Sequence, residues 1–323
     1  MKGSYEVIVR NNRLRYKFTI QRNITILRGD SATGKTTLIE MIKSYLTDGE
    51  ESGIEVICDK KCVVLERGNW ERDLKEYEDC IVFIDEGNAF IRSDDFAEMV
   101  RQSNNYYVIA TRDSLFNLPY SIEEIYGIRN TSGNLYQGTK RLYSELYHLY
   151  NKDAYEGKPG VVIIEDSNSA YQFWMEVCKK ENIICKSAAG KSDVYRCILE
   201  EKGEKILVIA DGAAFGPEME RVMALKWVKS FVCFLPESFE WLILKSGLIK
   251  AKDLKRILEK PSDFIESKKY FSWERFFTSL LTESTIDTPF AYSKSKLNPA
   301  YLHDKSKKIL TDSINEEAGG KLI

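Results

Sequence analysis

The sequence has no long hydrophobic run. Its longest purely apolar stretches, among them Ile206–Ala210 and Phe231–Leu235, are five residues long. A bilayer-spanning helix needs about 20, so no membrane span is expected. Neither sign of charge is in excess: Lys plus Arg number 47 against 49 for Asp plus Glu, a net charge of −2. A strongly basic, histone-like binder is thereby excluded, while local basic patches stay open. Histidine is almost missing. With only His148 and His303, a Ser-His or Cys-His hydrolase is disfavoured. Cys58 and Cys62 are four apart, but no second pair stands at ligand spacing, so zinc is not expected. The seven cysteines are scattered. Cys80, Cys178, Cys197 and Cys233 lie inside apolar stretches and read as small buried side chains, in keeping with a reducing compartment. Met1–Glu6 turns polar at once, so no signal peptide is expected and the expected location is cytoplasmic.

What remains is ordinary globular composition. Apolar residues make up 43%, charged residues 30% and aromatics 12%, far from the disordered range, and 323 residues allow about two domains.

Alternation at 5–20 around Asn11-Asn12 predicts a β-hairpin. A strand at Ile24–Leu27, a glycine-containing loop and a helix over Thr36–Tyr45 follow. Further strands are expected at Ile54–Ile57, Cys62–Leu65, Cys80–Ile84 and Tyr106–Ala110, with a helix over Asp95–Gln102. Glu124–Ile128 and Asn134–Tyr136 read as a second hairpin, and Lys140–Tyr150 as a helix with Leu142, Leu146 and Leu149 on one face. The polar stretch Asn151–Gly160 is the expected domain boundary. Beyond it, strands at Val161–Ile164, Ile183–Lys186, Ile206–Ala210 and Phe231–Leu235 alternate with helices at Ala170–Lys180, Asp193–Glu201 and Pro217–Leu225. Apolar strands alternating with helices imply an α/β fold with a parallel sheet covered on both faces. From Glu237 on the pattern is mostly helical, with Phe271, Trp273, Phe276 and Phe277 as a packing cluster and a lysine-rich, partly disordered tail. Trp174, Trp227, Trp241 and Trp273 read as core. The expected domains are therefore 1–150, 160–245 and a helical extension over 246–323.

Gly29-Asp30-Ser31-Ala32-Thr33-Gly34-Lys35-Thr36 fits G-x-x-x-x-G-K-[ST], the P-loop or Walker A pattern. It follows an apolar strand and opens a helical pattern, as its physics requires. Glycines let successive N–H groups face one point, and the helix N-terminus adds partial positive charge there. Residues 29–36 and Thr37 are thus the candidate nucleotide-binding residues, with Lys35 on the β- and γ-phosphates and Thr36 on Mg²⁺. About 50 residues on, Cys80-Ile81-Val82-Phe83-Ile84 ends in Asp85-Glu86, a Walker B pattern. Asp85 is the second candidate Mg²⁺ residue and Glu86 the candidate catalytic residue that polarises water. Tyr106–Ala110 ends in Thr111-Arg112, where Thr111 first and Arg112 second are candidate γ-phosphate sensors.

Residues 24–113 resemble the P-loop NTPases of the additional-strand, catalytic-glutamate division. The L-S-G-G-Q signature of ABC-type ATPases is absent, and the short spacing looks more like a compact AAA-type or Zot-like ATPase. ATP is favoured over GTP. Asp85-Glu86-Gly87 misplaces the glycine of D-x-x-G, and Asn151-Lys152-Asp153-Ala154 lacks the last aspartate of N-K-x-D.

In the second half, a strand ends in Glu165 and a later one in Asp211, followed by Leu235-Pro236 and Glu240. This order resembles a degenerate TOPRIM-like domain, as in OLD-family proteins, where an ATPase also comes first. The resemblance implies Mg²⁺ at Glu165 and Asp211 for phosphodiester chemistry, with Glu240 matching loosely, and a role in phage defence or a mobile element. The family's D-x-D reads Asp211-Gly212-Ala213 here, and Asp166 stands where glycine is usual. An ordinary Rossmann-like domain with solvated acids, or an inactive scaffold, stays open. Basic stretches at 1–28 (Lys2, Arg10, Arg13, Arg15, Lys17, Arg22, Arg28) and Lys294–Lys308 make a nucleic-acid partner conceivable; a solvated face is the plainer account. Three functions follow: an ATPase controlling a TOPRIM-like domain that acts on nucleic acid, an ATP-dependent switch with an inactive partner-binding domain, or a DNA-moving motor. The last would be a homo-oligomer with an arginine from a neighbouring subunit.

Overall fold

Runs of β-branched and aromatic residues with no polar interruption need cover on both faces. Ile24–Leu27, Cys80–Ile84 and Tyr106–Ala110 have it: each of their residues is buried. The structure, a computed structural model, describes residues 1–29, 33–131, 142–153, 157–203 and 205–323. By its contacts the chain divides into two units, 1–150 with 260–272, and 151–259 with 273–323.

The first unit runs β1 (Tyr5–Arg10), β2 (Leu14–Ile20), β3 (Ile24–Leu27), α1 (Lys35–Asp48), β4 (Glu55–Ile57), β5 (Lys61–Val64), α2 (Trp70–Glu76), β6 (Cys80–Ile84), α3 (Asp94–Gln102), β7 (Tyr106–Ala110), β8 (Ile125–Asn130) and β9 (Leu142–His148). Its nine strands form one sheet in the order β4-β1-β2-β9-β8-β3-β7-β6-β5. The β8-β3-β7-β6-β5 part is parallel throughout. The sheet as a whole is mixed, not parallel, because the β1–β2 hairpin, β4 and the β8–β9 pair add antiparallel neighbours. β4 and β5 stand at opposite ends of the order, yet only Cys58, Asp59 and Lys60 join them. Three residues span about 10 Å, so the sheet curls and brings its two edge strands near each other. Inside the curl lies α1, whose Leu38, Ile39, Met41 and Ile42 pack with Val7, Val9, Cys62, Ile81 and Phe83.

The helix expected over Lys140–Tyr150 is instead strand β9. Its leucine spacing mimics a helix face. However, β2 and β8 both offer open edges, and β9 pairs with β2 in parallel and β8 antiparallel. Two ladders of hydrogen bonds outweigh a weak local preference. The strand expected at Asn134–Tyr136 lies outside the described residues.

The second unit runs β10 (Val161–Ile164), α4 (Ser169–Lys180), β11 (Ile184–Ser187), α5 (Lys191–Glu200), β12 (Ile206–Ile209), α6 (Met219–Ala224), β13 (Phe231–Phe234), α7 (Phe239–Lys245), α8 (Leu254–Glu259), α9 (Trp273–Thr285) and α10 (Asp304–Glu317). Its sheet is fully parallel, in the order β11-β10-β12-β13. The crossovers leave β10 in opposite directions, which puts a switch point between β10 and β12, where an open α/β sheet leaves a crevice at its strand ends.

The stretch 246–323 does not stand as one extension. Residues 260–272 join the first unit, where Asn23 Nδ2 donates to the carbonyls of Ser267 and Tyr270 at 3.2 and 3.0 Å. The tail expected to be partly disordered carries α10, which buries Leu310 and Ile314. Trp227 is 92% exposed and not core; the turn after α6 sends Leu225 inward and Trp227 outward. Trp174 and Trp273 are buried as expected. Cys80, Cys178 and Cys233 are buried, but Cys197 is only half-buried. Among the described residues no helix is long and apolar enough to cross a membrane.

Candidate functional site

In the first unit the chain leaves β3 through Gly29 (φ +136°) and enters α1 through Gly34 (φ +95°). Both values lie where only glycine is unstrained. At Gly34 the neighbour matters as well. The Tyr16 hydroxyl donates to the Gly34 carbonyl at 3.1 Å and would stand 2.8 Å from a Cβ placed there. Lys35 opens the helix, is 5% exposed, and folds back to donate to the Gly29 carbonyl at 2.7 Å and Thr33 Oγ1 at 3.1 Å. Its ammonium is thereby tied to Gly29 and Thr33, on either side of residues 30–32. Asp30, Ser31 and Ala32 lie outside the described residues.

The residues after β6 meet the start of α1 through a hydrogen bond. Thr36 Oγ1 donates to Asp85 Oδ1 at 3.3 Å, and the same oxygen accepts the Glu86 N–H at 2.9 Å. β7 lies between β3 and β6, so residues following β6 and β7 face the start of α1. A cavity of about 250 Å³ results, lined by Thr33, Gly34, Lys35, Thr36, Thr37, Glu86 and Arg112. Thr111 is 2% exposed and caps a turn, its Oγ1 accepting the Asp113 N–H at 3.0 Å; it does not line the cavity. Arg112 does, with Nε and Nη2 each 3.3 Å from a carboxylate oxygen of Glu86.

In the second unit Glu165 and Asp211 follow β10 and β12 and flank the switch point. They meet through a backbone group: the Asp211 N–H donates to Glu165 Oε2 at 2.8 Å. Asp211 Oδ1 accepts the Phe239 N–H at 3.1 Å, and Asp166 Oδ1 the Tyr171 N–H at 3.1 Å. Glu240, 1% exposed, accepts the Tyr292 hydroxyl at 2.7 Å. Lys294 is ion-paired with Glu274. Burial pushes the Glu165 carboxyl up to about 7. Burial, then the charges of Glu274, Glu165 and Glu240, raises Asp211 well above the usual carboxylate range. Burial also raises Asp166. For Lys294 burial works against the charge, but Glu274, Glu240 and Asp211 outweigh it and its proton is held more tightly than in water. Gly212 is required by a close approach, since a Cβ there would meet the Leu235 carbonyl oxygen at 2.5 Å. Ala213, at the second acid position of D-x-D, is buried.

Two divalent-ion sites were expected. Thr36 and Asp85 suit Mg²⁺, which takes few protein oxygens and fills its shell with waters and phosphates. Glu165 and Asp211 suit it less. One oxygen of each accepts a backbone N–H, and the cleft beside them offers only about 20 Å³. No three His, Cys, Asp or Glu among the described residues stand together as a metal-holding group.

Part of the basic stretches is met by acids. Arg10 pairs with Glu55 at 2.6 Å, Lys17 with Glu6 at 2.8 Å, and the buried Arg22 with Glu124 at 3.4 Å. No protein-family description matches the chain, and a search of curated proteins finds no relative. Tyr16, Glu274 and Lys294 carried no local signal in the sequence: Tyr16 is one aromatic in an alternating hairpin, and the others lie over 60 residues beyond Asp211.

Proposed function

We propose that this chain binds and hydrolyses ATP with Mg²⁺, as a P-loop NTPase of the additional-strand, catalytic-glutamate type. One observation carries the proposal: Lys35 and Thr36 at the start of α1 and Glu86 after β6 line a single cavity, with Thr36 bonded to Asp85. The strand inserted between β3 and β6 is the feature that gives that division its name. In this reading the α1 N-terminus and Lys35 hold the β- and γ-phosphates, and Thr36 and Asp85 hold Mg²⁺, which would neutralise charge developing between those phosphates. Glu86 orients the attacking water. Lys35→Ala tests it. Binding of a fluorescent ATP analogue and phosphate release should both fall to background, and unchanged turnover in that variant would refute the site.

For the second unit, the switch reading is favoured over the nuclease reading. Lys294 already supplies positive charge to Glu274, Glu240 and Asp211, and Glu165 and Asp211 are engaged with backbone amides. A nuclease step through Mg²⁺ at these acids finds no support in that arrangement. We therefore infer an ATP-dependent switch whose second domain binds a partner. Plasmid incubated with protein and Mg²⁺ or Mn²⁺, with and without ATP, should stay intact. Cleavage that disappears in Glu165→Ala and Asp211→Ala would restore the nuclease.

A further inference from the structure

The Glu86 carboxylate, assigned above to orient water, is gripped by Arg112. Both carboxylate oxygens face the guanidinium, at 3.3 Å each. The two residues come from adjacent parallel strands, β6 and β7, and share a cavity with Lys35 and Thr36. The pair is weakly held, because the Arg112 side chain is 56% and the Glu86 side chain 33% exposed. Pairs of that exposure contribute only about 0–1 kcal/mol. A terminal phosphate seated by Lys35 brings up to two negative charges and three acceptor oxygens, and charge-assisted bonds from Arg to phosphate are among the strongest a side chain makes.

The geometry points to Arg112 as the residue that reads the terminal phosphate, exchanging Glu86 for it. This rests on the ATP-binding assignment and extends it to specificity. Without a terminal phosphate, Arg112 holds Glu86. A triphosphate takes Arg112 over, which frees the Glu86 carboxylate for water. A diphosphate lacks the group that competes, so the pair persists or re-forms. The chain then supplies its own arginine, and no neighbouring subunit is needed to complete the site.

The test compares Mg²⁺-bound ADP with Mg²⁺-bound β,γ-imido-ATP by titration calorimetry on the full chain. Arg112→Ala should weaken the triphosphate analogue about ten- to hundredfold, the loss of one strong charge-assisted contact, and change ADP less than about twofold. Equal loss for both nucleotides, or none for either, overturns the inference. Lys35→Ala separates the two claims: it should weaken both ligands, and if it weakens neither, the ATP assignment itself falls. Glu86→Gln removes the competing carboxylate and should tighten analogue binding. In the Arg112→Ala background that gain should vanish. A gain that persists there comes from relieved repulsion alone and overturns the exchange. Arg112→Lys, which keeps the charge but not the two-pronged grip, should keep fold and ADP affinity while falling between wild type and Arg112→Ala for the analogue. A Lys variant equal to Ala in both ligands, with ADP binding also lost, overturns the inference as well.

Discussion

Glu165→Gln should make the second unit more stable above neutral pH while leaving it unchanged in acid. Burial moves the Glu165 carboxyl from 4.5 to about 7. The folded chain therefore keeps a proton that the unfolded chain has already released between those values. Where the folded state binds more protons, raising pH favours unfolding. The stability present below pH 4.5 is thus lost progressively up to about pH 7 and stays lost above it. At 1.36 kcal/mol for each tenfold change in proton affinity, the loss is about 3 kcal/mol. Asp211, raised for the same leading reason, adds a loss of the same sign. Glutamine keeps an oxygen for the Asp211 N–H, now accepted by Glu165 at 2.8 Å, but has no proton to lose. Urea unfolding at pH 5 and pH 8, followed by tryptophan fluorescence, is a suitable assay. Trp174 lines the same cavity as Glu165 and is 2% exposed, so it reports this unit. The variant should come close to wild type at pH 5 and exceed it clearly at pH 8. A wild type equally stable at both values, or a variant that follows it, would refute the reasoning. Adding Mg²⁺ at pH 8 sharpens the result: stabilisation of wild type but not of the variant would mean that Glu165 binds the ion after all.

Three further outcomes are expected. Lys294→Met removes the cation facing Glu274, Glu240 and Asp211 and should cost on the order of 1–3 kcal/mol at neutral pH, between the exposed and buried limits for a broken ion pair; the deficit should shrink in acid as the raised Asp211 carboxyl protonates, which the same urea series reads. Gly34→Ala meets a φ of +95° and the Tyr16 hydroxyl at 2.8 Å; ATP affinity should fall, and adding Tyr16→Phe should recover only part of it, because the backbone strain of about 1–2 kcal/mol stays. Trp174→Ala should destabilise the second unit by about 3–5 kcal/mol through a cavity beside β10, seen as a lower urea midpoint.

Elements fixed by local chemistry are legible in the sequence. β3, β6, β7, β10, β12 and β13 are short apolar runs between polar breaks, and each lies within two residues of its expected bounds. The strand, the two positive-φ glycines and the helix start that the G-x-x-x-x-G-K-T pattern calls for coincide at β3, Gly29, Gly34 and α1. Elements fixed by distant partners are not legible. β9 is a strand because of β2 and β8, which its own leucine spacing does not reveal. Residues 260–272 belong to the first unit because Asn23 caps their carbonyls from 244 and 247 residues away. The same distinction divides the sites. Lys35, Thr36, Asp85 and Glu86 are carried by contiguous motifs, whereas the cation among the second unit's acids comes from Lys294, in a segment that reads only as a basic surface.

Both units put their acids at the same kind of place, just past the carboxyl ends of neighbouring parallel strands, where open α/β sheets leave room for ligands. What separates them is the state of the cation that meets those acids. In the first unit the arginine is more than half exposed beside a cavity of about 250 Å³, so, on the exchange proposed above, a polyanion would enter and replace Glu86 as its partner. In the second unit the space is about 20 Å³, Glu240 is 1% exposed, and the lysine is held by several carboxylates at once. An anionic substrate gains nothing there, since it would have to displace buried acids from a cation already neutralised. Only a competing cation could open that crevice, and it would have to repay the desolvation of every carboxylate that Lys294 now serves. On the proposed reading, turnover therefore belongs to the first unit.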